Sequence, residues 1–363
     1  MRARRSQHLG SQGAKRRQRL PHLPGARGRP DPGPGRHLPR RRSPDLRGRH
    51  PPPDPRRQDQ DGRRLPEVPP DRRRDLDREV KARADRGAAH AGGESCLVHL
   101  DRDHPGFRDA GYRARRDRIA RIALDYRGGP VPEAPYTEEE HAVWRDVWKH
   151  LGPLHERWAP RGYLILNKRL GMSRERIPQL DEVNRKLRTI TGFEMEPVAG
   201  LIEPRVFLSY LADGVFLATQ YVRHHSTPLY TPEPDVIHEL VGHAASFTHP
   251  MIAELNRAFG RAAREADDAE LKALERAYWW TLEFGALVEE GQVKAFGSGL
   301  LSSCGEIQRF ATEAELLSFD IGRMAATDYD PTNYQPHVFL APSWEVLYHD
   351  LHSWLHDGGW RRA

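Results

Sequence analysis

Past His104, apolar residues recur at helical spacing. Ile119, Ile122, Ala123 and Tyr126 fall at i, i+3, i+4 and i+7 before the chain meets Gly128-Gly129-Pro130, which predicts one amphipathic helix. Thr137 followed by Glu138, Glu139 and Glu140 is a capping-box pattern that opens a second. Its apolar stripe is Trp144, Val147, Trp148 and Leu151, and it is expected to close near Gly152-Pro153. Leu180, Val183, Leu187 and Ile190 mark a third helix ending at Gly192. Ile252, Leu255 and Phe259 mark a fourth, and Leu271, Leu274, Tyr278 and Leu282 a fifth. A last one, with Trp344, Leu347, Leu351 and Trp354, follows Pro342-Ser343. Strand-like runs are short, Val293 to Phe296 among them, so the expected fold class is mainly α with small β elements.

Composition then divides the chain. Residues 1–100 hold 26 Lys and Arg against 12 Asp and Glu, or +14, so the other 263 residues carry 31 against 39, or −8, of the totals 57 and 51. No Phe, Trp or Tyr precedes Phe107, whereas residues 1–100 hold 14 of the 30 prolines. Without aromatic anchors such a segment buries too little to offset its ordering entropy, so residues 1–95 are expected to be a disordered Arg- and Pro-rich arm before a domain over 103–363. The abrupt switch near residues 96–103 is also what a misassigned start or a frameshift in a GC-rich gene would leave. Two cysteines, Cys96 and Cys304, are too few for a disulfide scaffold or a Cys-based zinc site. No apolar run nears the roughly 18 residues of a membrane span, and the N-terminus has no secretory apolar core. A cytoplasmic protein is the expectation.

The chemistry concentrates in Thr231-Pro-Glu-Pro-Asp-Val-Ile-His-Glu-Leu-Val-Gly-His243, where Pro232 and Pro234 favour extended backbone before a helix starting near Asp235. His238 and His243 are five apart. On a regular helix that spacing turns them about 140° from one another, so one ion reaches both only if the helix is distorted or ends near Gly242. Two histidines with no ligand role are the alternative. Glu283 lies among large apolar groups in Tyr278-Trp-Trp-Thr-Leu-Glu-Phe-Gly285, and a buried carboxylate needs a cation, a proton or donors; pairing with an Arg would also serve. Two imidazoles and one carboxylate on one face of a metal leave positions open for oxygen, the arrangement of non-haem Fe(II) oxygenases. Arg223 could hold a ligand carboxylate bidentately or form a structural salt bridge. Gly297-Ser-Gly-Leu-Leu-Ser-Ser-Cys-Gly-Glu306 lacks the Lys of a phosphate loop and suits close backbone approach to a ligand or to the histidine helix. His224, His225 and His249 read as ordinary polar histidines.

These residues resemble the pterin-dependent aromatic amino acid hydroxylases. The similarity runs over about residues 103–340, from Asp103-His-Pro-Gly-Phe107 through Pro197-Val-Ala-Gly-Leu201, the two-histidine stretch, Tyr278 to Gly285 and the glycine-rich run to Tyr334-Gln-Pro336. The resemblance implies that His238, His243 and Glu283 ligate Fe(II). It further implies that Arg223 and Thr231 hold the amino acid carboxylate, that Trp279 and Phe284 line the ring pocket, and that Ser302 orients His238 from behind. Phe207 would stack on a tetrahydropterin co-substrate and Glu239 would face it, although a Phe in such a run also suits the core. Pro204 departs from relatives that place a hydroxyl near the pterin. By the same resemblance a monomer or dimer is expected, because the long C-terminal heptad tail of tetrameric animal enzymes is not seen.

The expected activity is ring hydroxylation of an aromatic amino acid with O2, tetrahydropterin and Fe(II), phenylalanine to tyrosine foremost. Tyrosine or tryptophan hydroxylation is the nearest alternative, with tryptophan least favoured because Trp279 stands beside Tyr278. A zinc hydrolase using His238 and Glu239 is a second reading, which the five-residue spacing opposes. A third is nucleic-acid tethering through the Arg-rich arm, disfavoured because the arm has no aromatic rings to stack on bases.

Overall fold

The computed structural model describes residues 100 and 102–363; the expected arm over 1–95, and Cys96, lie outside the described residues. Helix α1, Ala110–Asp125, is capped by Asp109, whose carboxylate accepts from Tyr112 N. The capping box forms as expected, with Thr137 Oγ1 accepting from Glu140 N at 3.3 Å and Glu140 accepting from Thr137 N at 2.7 Å. It opens α2, Glu138–Trp158, which corrects the expected stop at Gly152-Pro153, since Pro153 lies inside it. Tertiary anchors beyond the proline keep the last turn helical. His155 Nε2 sits 2.6 Å from Leu301 O, and Trp158 packs edge-on against Phe310 with centroids 5.5 Å apart.

Helix α3, Arg161–Leu170, was not expected from periodicity; it ends on Gly171 at φ 58, a left-handed cap that glycine adopts without a Cβ penalty. Helix α4, Leu180–Ile190, buries Leu180, Val183 and Leu187, as its spacing requires. Strands β1, Glu194–Val198, and β2, Val215–Thr219, pair in parallel from Glu194 opposite Val215 to Val198 opposite Thr219. Helix α5, Pro204–Leu211, connects them and carries Pro at its first position, where no amide hydrogen is needed.

After the histidine stretch come a short α6, Ala245–Phe247, then α7, Pro250–Glu265, and α8, Asp268–Tyr278. The second sheet runs in the order β4-β3-β6-β5. Its strands are β3 Ala286–Glu289, β4 Gln292–Ala295, β5 Glu315–Ser318 and β6 His337–Ala341. Short helices α9, Ser298–Ser302, α10, Glu306–Arg309, and α11, Ile321–Ala326, lie between strands. Helix α12, Trp344–His356, is capped by Ser343. The mainly helical class is therefore as expected, and among the described residues no helix is long and apolar enough to cross a membrane.

The main core gathers Trp144, Leu151, Leu187, Phe193, Phe247, Phe259 and Leu274 around the histidine segment. Helix α5 comes so close to α7 that a Cβ on Gly260 would meet Ala212 N at 2.1 Å. Backbone cannot swing aside as a side chain can, so Gly260→Ala is expected to cost about 1–3 kcal/mol in urea unfolding. Wild-type stability for that variant would refute the close approach.

Candidate metal centre

The peptide following β2 folds back so that Val236 N bonds to Tyr221 O at 2.8 Å, and Asp235 then caps the histidine helix by accepting from His238 N at 3.1 Å. From His238 to Ala244 this helix is π-helical. Its i→i+5 hydrogen bonding brings positions five apart back towards one face, which supplies the distortion that the histidine spacing demands. The neighbouring glycines make room for it. A Cβ on Gly242 would meet Ser298 O at 2.7 Å, and one on Gly297 would meet Glu283 O at 2.4 Å. The glycine-rich run thus serves close backbone approach to the histidine helix and to the Glu283 segment, itself a π-turn over Trp279–Glu283.

His238 Nε2 and His243 Nε2 lie 3.0 Å apart. Glu283 Oε1 is 3.0 Å from His243 Nε2, and its Oε2 is 3.7 Å from His238 Nε2. A metal with bonds of about 2.1 Å to three mutually adjacent donors needs edges of roughly 3.0–3.4 Å; the two 3.0 Å edges meet this, and a small turn of the Glu283 carboxylate brings in the 3.7 Å one, so these residues fit one ion. Ser302 settles which nitrogen of His238 faces it. The Ser302 hydroxyl donates its one proton to Ser298 O at 2.7 Å, so towards His238 Nδ1, 2.9 Å away, it can only accept. Nδ1 therefore carries the ring hydrogen and Nε2 presents its lone pair.

Burial, reinforced by His243, pushes His238 down to about 4. Burial would likewise lower His243, but Glu283 beside it turns the shift into a rise. Glu283 itself lies below the usual carboxylate range, because His243 outweighs the effect of burial. Its partners are imidazoles, not an Arg. Glu239 is also near both histidines, yet its Oε1 accepts from Thr219 N at 3.0 Å and Thr219 Oγ1 at 2.9 Å. Glu283, nearer to His243 and without such donors, is the better third donor, while burial raises Glu239 to about 7.

Arg223 is buried and makes two parallel bonds to Asp235, Nε to Oδ2 at 2.9 Å and Nη2 to Oδ1 at 2.8 Å. Its Nη1 has only Pro228 O, at 3.5 Å. Thr231 Oγ1 donates to Glu233 O at 2.8 Å. Trp279 is stacked between Phe284 and Tyr329, with centroids at 4.6 and 4.1 Å, and its indole donates to Gln335 Oε1 at 3.2 Å. Phe207 is half-buried and meets Phe216 and Tyr278 edge-on.

Sequence reasoning passed over Asp235 as more than a helix start. Its partner lies 12 positions upstream, a separation with no periodic signature. Tyr329 and Gln335 were also missed as neighbours of Trp279, since each comes from the loop before β6.

A His-His-carboxylate centre with a packed aromatic wall, held in a mainly helical domain, is the class of site found in non-haem iron oxygenases. The family model described as biopterin-dependent aromatic amino acid hydroxylase matches residues 92–357, and the chain belongs to that family. Among curated relatives, phenylalanine-4-hydroxylase of Caenorhabditis elegans is 42% identical over 263 residues, covering 71% of this chain and 58% of the relative. Tyrosine 3-monooxygenase of Bos taurus is 41% identical over 261 residues, covering 70% and 53%. The chain thus spans just over half the length of these relatives. Among solved structures, Chromobacterium violaceum phenylalanine hydroxylase with bound iron(III) and 7,8-dihydrobiopterin has a TM-score of 0.60 at 28% identity, covering 66% of this chain and 91% of that one.

Burial by itself would raise the Asp235 carboxyl, but the Arg223 guanidinium and backbone donors outweigh it and hold the group below its ordinary range. The resulting stabilisation is complete above the unfolded value of about 3.9 and is lost as pH falls through the folded one. Asp235→Ala strands a buried guanidinium and is expected to cost about 3–5 kcal/mol at neutral pH. Urea unfolding at pH 7 measures this, and a loss below about 1 kcal/mol would show that the pair contributes no more than an exposed one.

Proposed function

We propose that the chain is a pterin-dependent aromatic amino acid monooxygenase whose foremost reaction converts L-phenylalanine to L-tyrosine with O2, a tetrahydropterin and Fe(II). Residues 103–363 form its catalytic domain. The observation that carries the reading is the meeting of His238, His243 and Glu283 at 3.0–3.7 Å within a chain of this family. When bound, iron and the reduced pterin together supply the activation of dioxygen, which reacts slowly with a closed-shell ring unaided.

The chain's own groups bind and orient. His238, His243 and Glu283 hold the metal by one face, and Ser302 keeps the His238 lone pair aimed at it. Arg223, already fixed by Asp235, has Nη1 as its free edge for the substrate carboxylate, with the Thr231 segment beside it. The Trp279 and Phe284 rings bound the pocket for the substrate ring, and Tyr329 and Gln335 prevent Trp279 from tilting. Phe207 offers a face to the pterin. Glu239, with a carboxyl near 7, can present either a proton or an acceptor to the pterin's polar edge at neutral pH. Holding ring, metal and pterin in register is the entropic share of the catalysis. A reducing, cytoplasmic setting is consistent with only two cysteines.

Purified full-length protein assayed with Fe(II), tetrahydropterin and phenylalanine, tyrosine or tryptophan tests the reading. Tyrosine formation from phenylalanine at the highest kcat/KM is expected, with no product from Glu283→Ala. Ser302→Ala is expected to weaken iron binding by about 10–100-fold. Full turnover by Glu283→Ala would overturn the site, and bound zinc without pterin-dependent activity would favour the hydrolase alternative.

A further inference from the structure

A second set of metal-binding side chains lies outside the centre described above. His224 and His225 follow Arg223 directly, and Asp109 is the cap of α1; among these three, one ligand atom each falls within 4.8 Å of the others. His224 Nε2 is 3.3 Å from Asp109 Oδ2. Glu139, in the first turn of α2, brings Oε1 to 3.7 Å from His225 Nδ1. Two imidazoles and one carboxylate therefore converge from two parts of the chain, and Glu139 approaches them on the His225 side.

Neighbouring rings fix the plane of His224. The edge-on Tyr112 ring, 4.9 Å away, and the tilted His225 ring, 4.3 Å away, hold its plane. Its Nδ1 accepts from Ser226 N at 3.2 Å and lies 2.7 Å from Ser226 Oγ, so Nε2 carries the ring hydrogen towards Asp109; an ion at Nε2 takes that place when the hydrogen moves to Nδ1, where Ser226 Oγ can accept it. Asp109 caps α1 through Oδ1, accepting from Tyr112 N at 2.9 Å, so Oδ2 is free for a second partner. Side-chain exposures of 37% for Asp109, 43% for His225 and 67% for Glu139 leave an entry path and room to move. Closing by up to about 1.5 Å among the first three, with a wider swing of the exposed Glu139, would reach the roughly 3.3 Å edges of a tetrahedral ion.

We propose that Asp109, His224 and His225, with Glu139 as fourth donor, form a second site for a divalent transition metal, zinc by ligand type. Mixed imidazole and carboxylate donors in a four-coordinate closed set suit zinc better than calcium or magnesium, which prefer oxygen alone. An ion there ties the segment after Arg223 to the starts of α1 and α2, restricting the stretch that leads into the Thr231 loop. The inference is independent of the proposed reaction.

The test is equilibrium dialysis of the iron-loaded full-length protein against micromolar zinc, with both metals counted per chain. One zinc per chain at unchanged iron content is expected. His225→Ala should weaken zinc binding by about tenfold or more, and so should Asp109→Asn, which removes the charge while keeping a good helix cap. Zinc that enters only as iron leaves, no zinc uptake, or uptake that both variants retain would overturn the proposal; the last would place the ion at exposed histidines such as His349 and His356 of α12.

Discussion

The centre depends on a stretch of π-helix. Regular α-helical winding from His238 would put the imidazole of His243 on a different face, and no rotamer change recovers about 140° of separation. Seven residues of wider winding bring the two Nε2 atoms to 3.0 Å. Such winding is rare because its hydrogen bonding and packing are poorer, so the surroundings must hold it. Here they do so at both ends. Asp235 caps the entrance while bonded to Arg223, Ser302 bonds to the His238 ring there, and the backbone of Ser298 presses on the exit side, where Gly242 lacks a side chain.

The same elements couple the proposed metal ligands to the surrounding groups. Asp235 serves at once as helix cap and as the anchor that fixes Arg223, so the guanidinium and the first histidine share one carboxylate. Glu283 emerges from a second π-turn, directly followed by Phe284 and directly preceded by the segment that carries Trp279. Metal ligands and aromatic wall are thus positioned by the same few backbone turns, and moving one moves the other. The glycines at 297 and 299 matter because Glu283 O and the Phe284 ring occupy the space their side chains would need.

Much of this was legible in the sequence. The 3.6-residue stripes located six helices because each buries one face, and the five-residue histidine spacing left a distorted helix, or one ending near Gly242, as the ways for one ion to reach both rings. What escaped depends on distant partners. Helix α2 continues through Pro153 because Leu301 O and Phe310, far along the chain, hold its last turn. Helix α3 was missed because its ten residues bury only Tyr163 and Leu170, too few to set a stripe. The Arg223–Asp235 pair and the Trp279–Gln335 bond likewise join residues whose separations follow no secondary-structure period. The resemblance already put Glu283 ahead of Glu239 as third donor, but that Thr219 occupies Glu239 is a long-range contact with no sequence signal.

The most direct test of the account is anomalous diffraction at the iron edge from crystals of iron-loaded protein. A single strong peak at about 2.0–2.2 Å from His238 Nε2, His243 Nε2 and a Glu283 oxygen is expected. A peak outside bonding reach of any of the three, or iron bound while the two imidazoles lie on opposite faces of a regular α-helix, would contradict it.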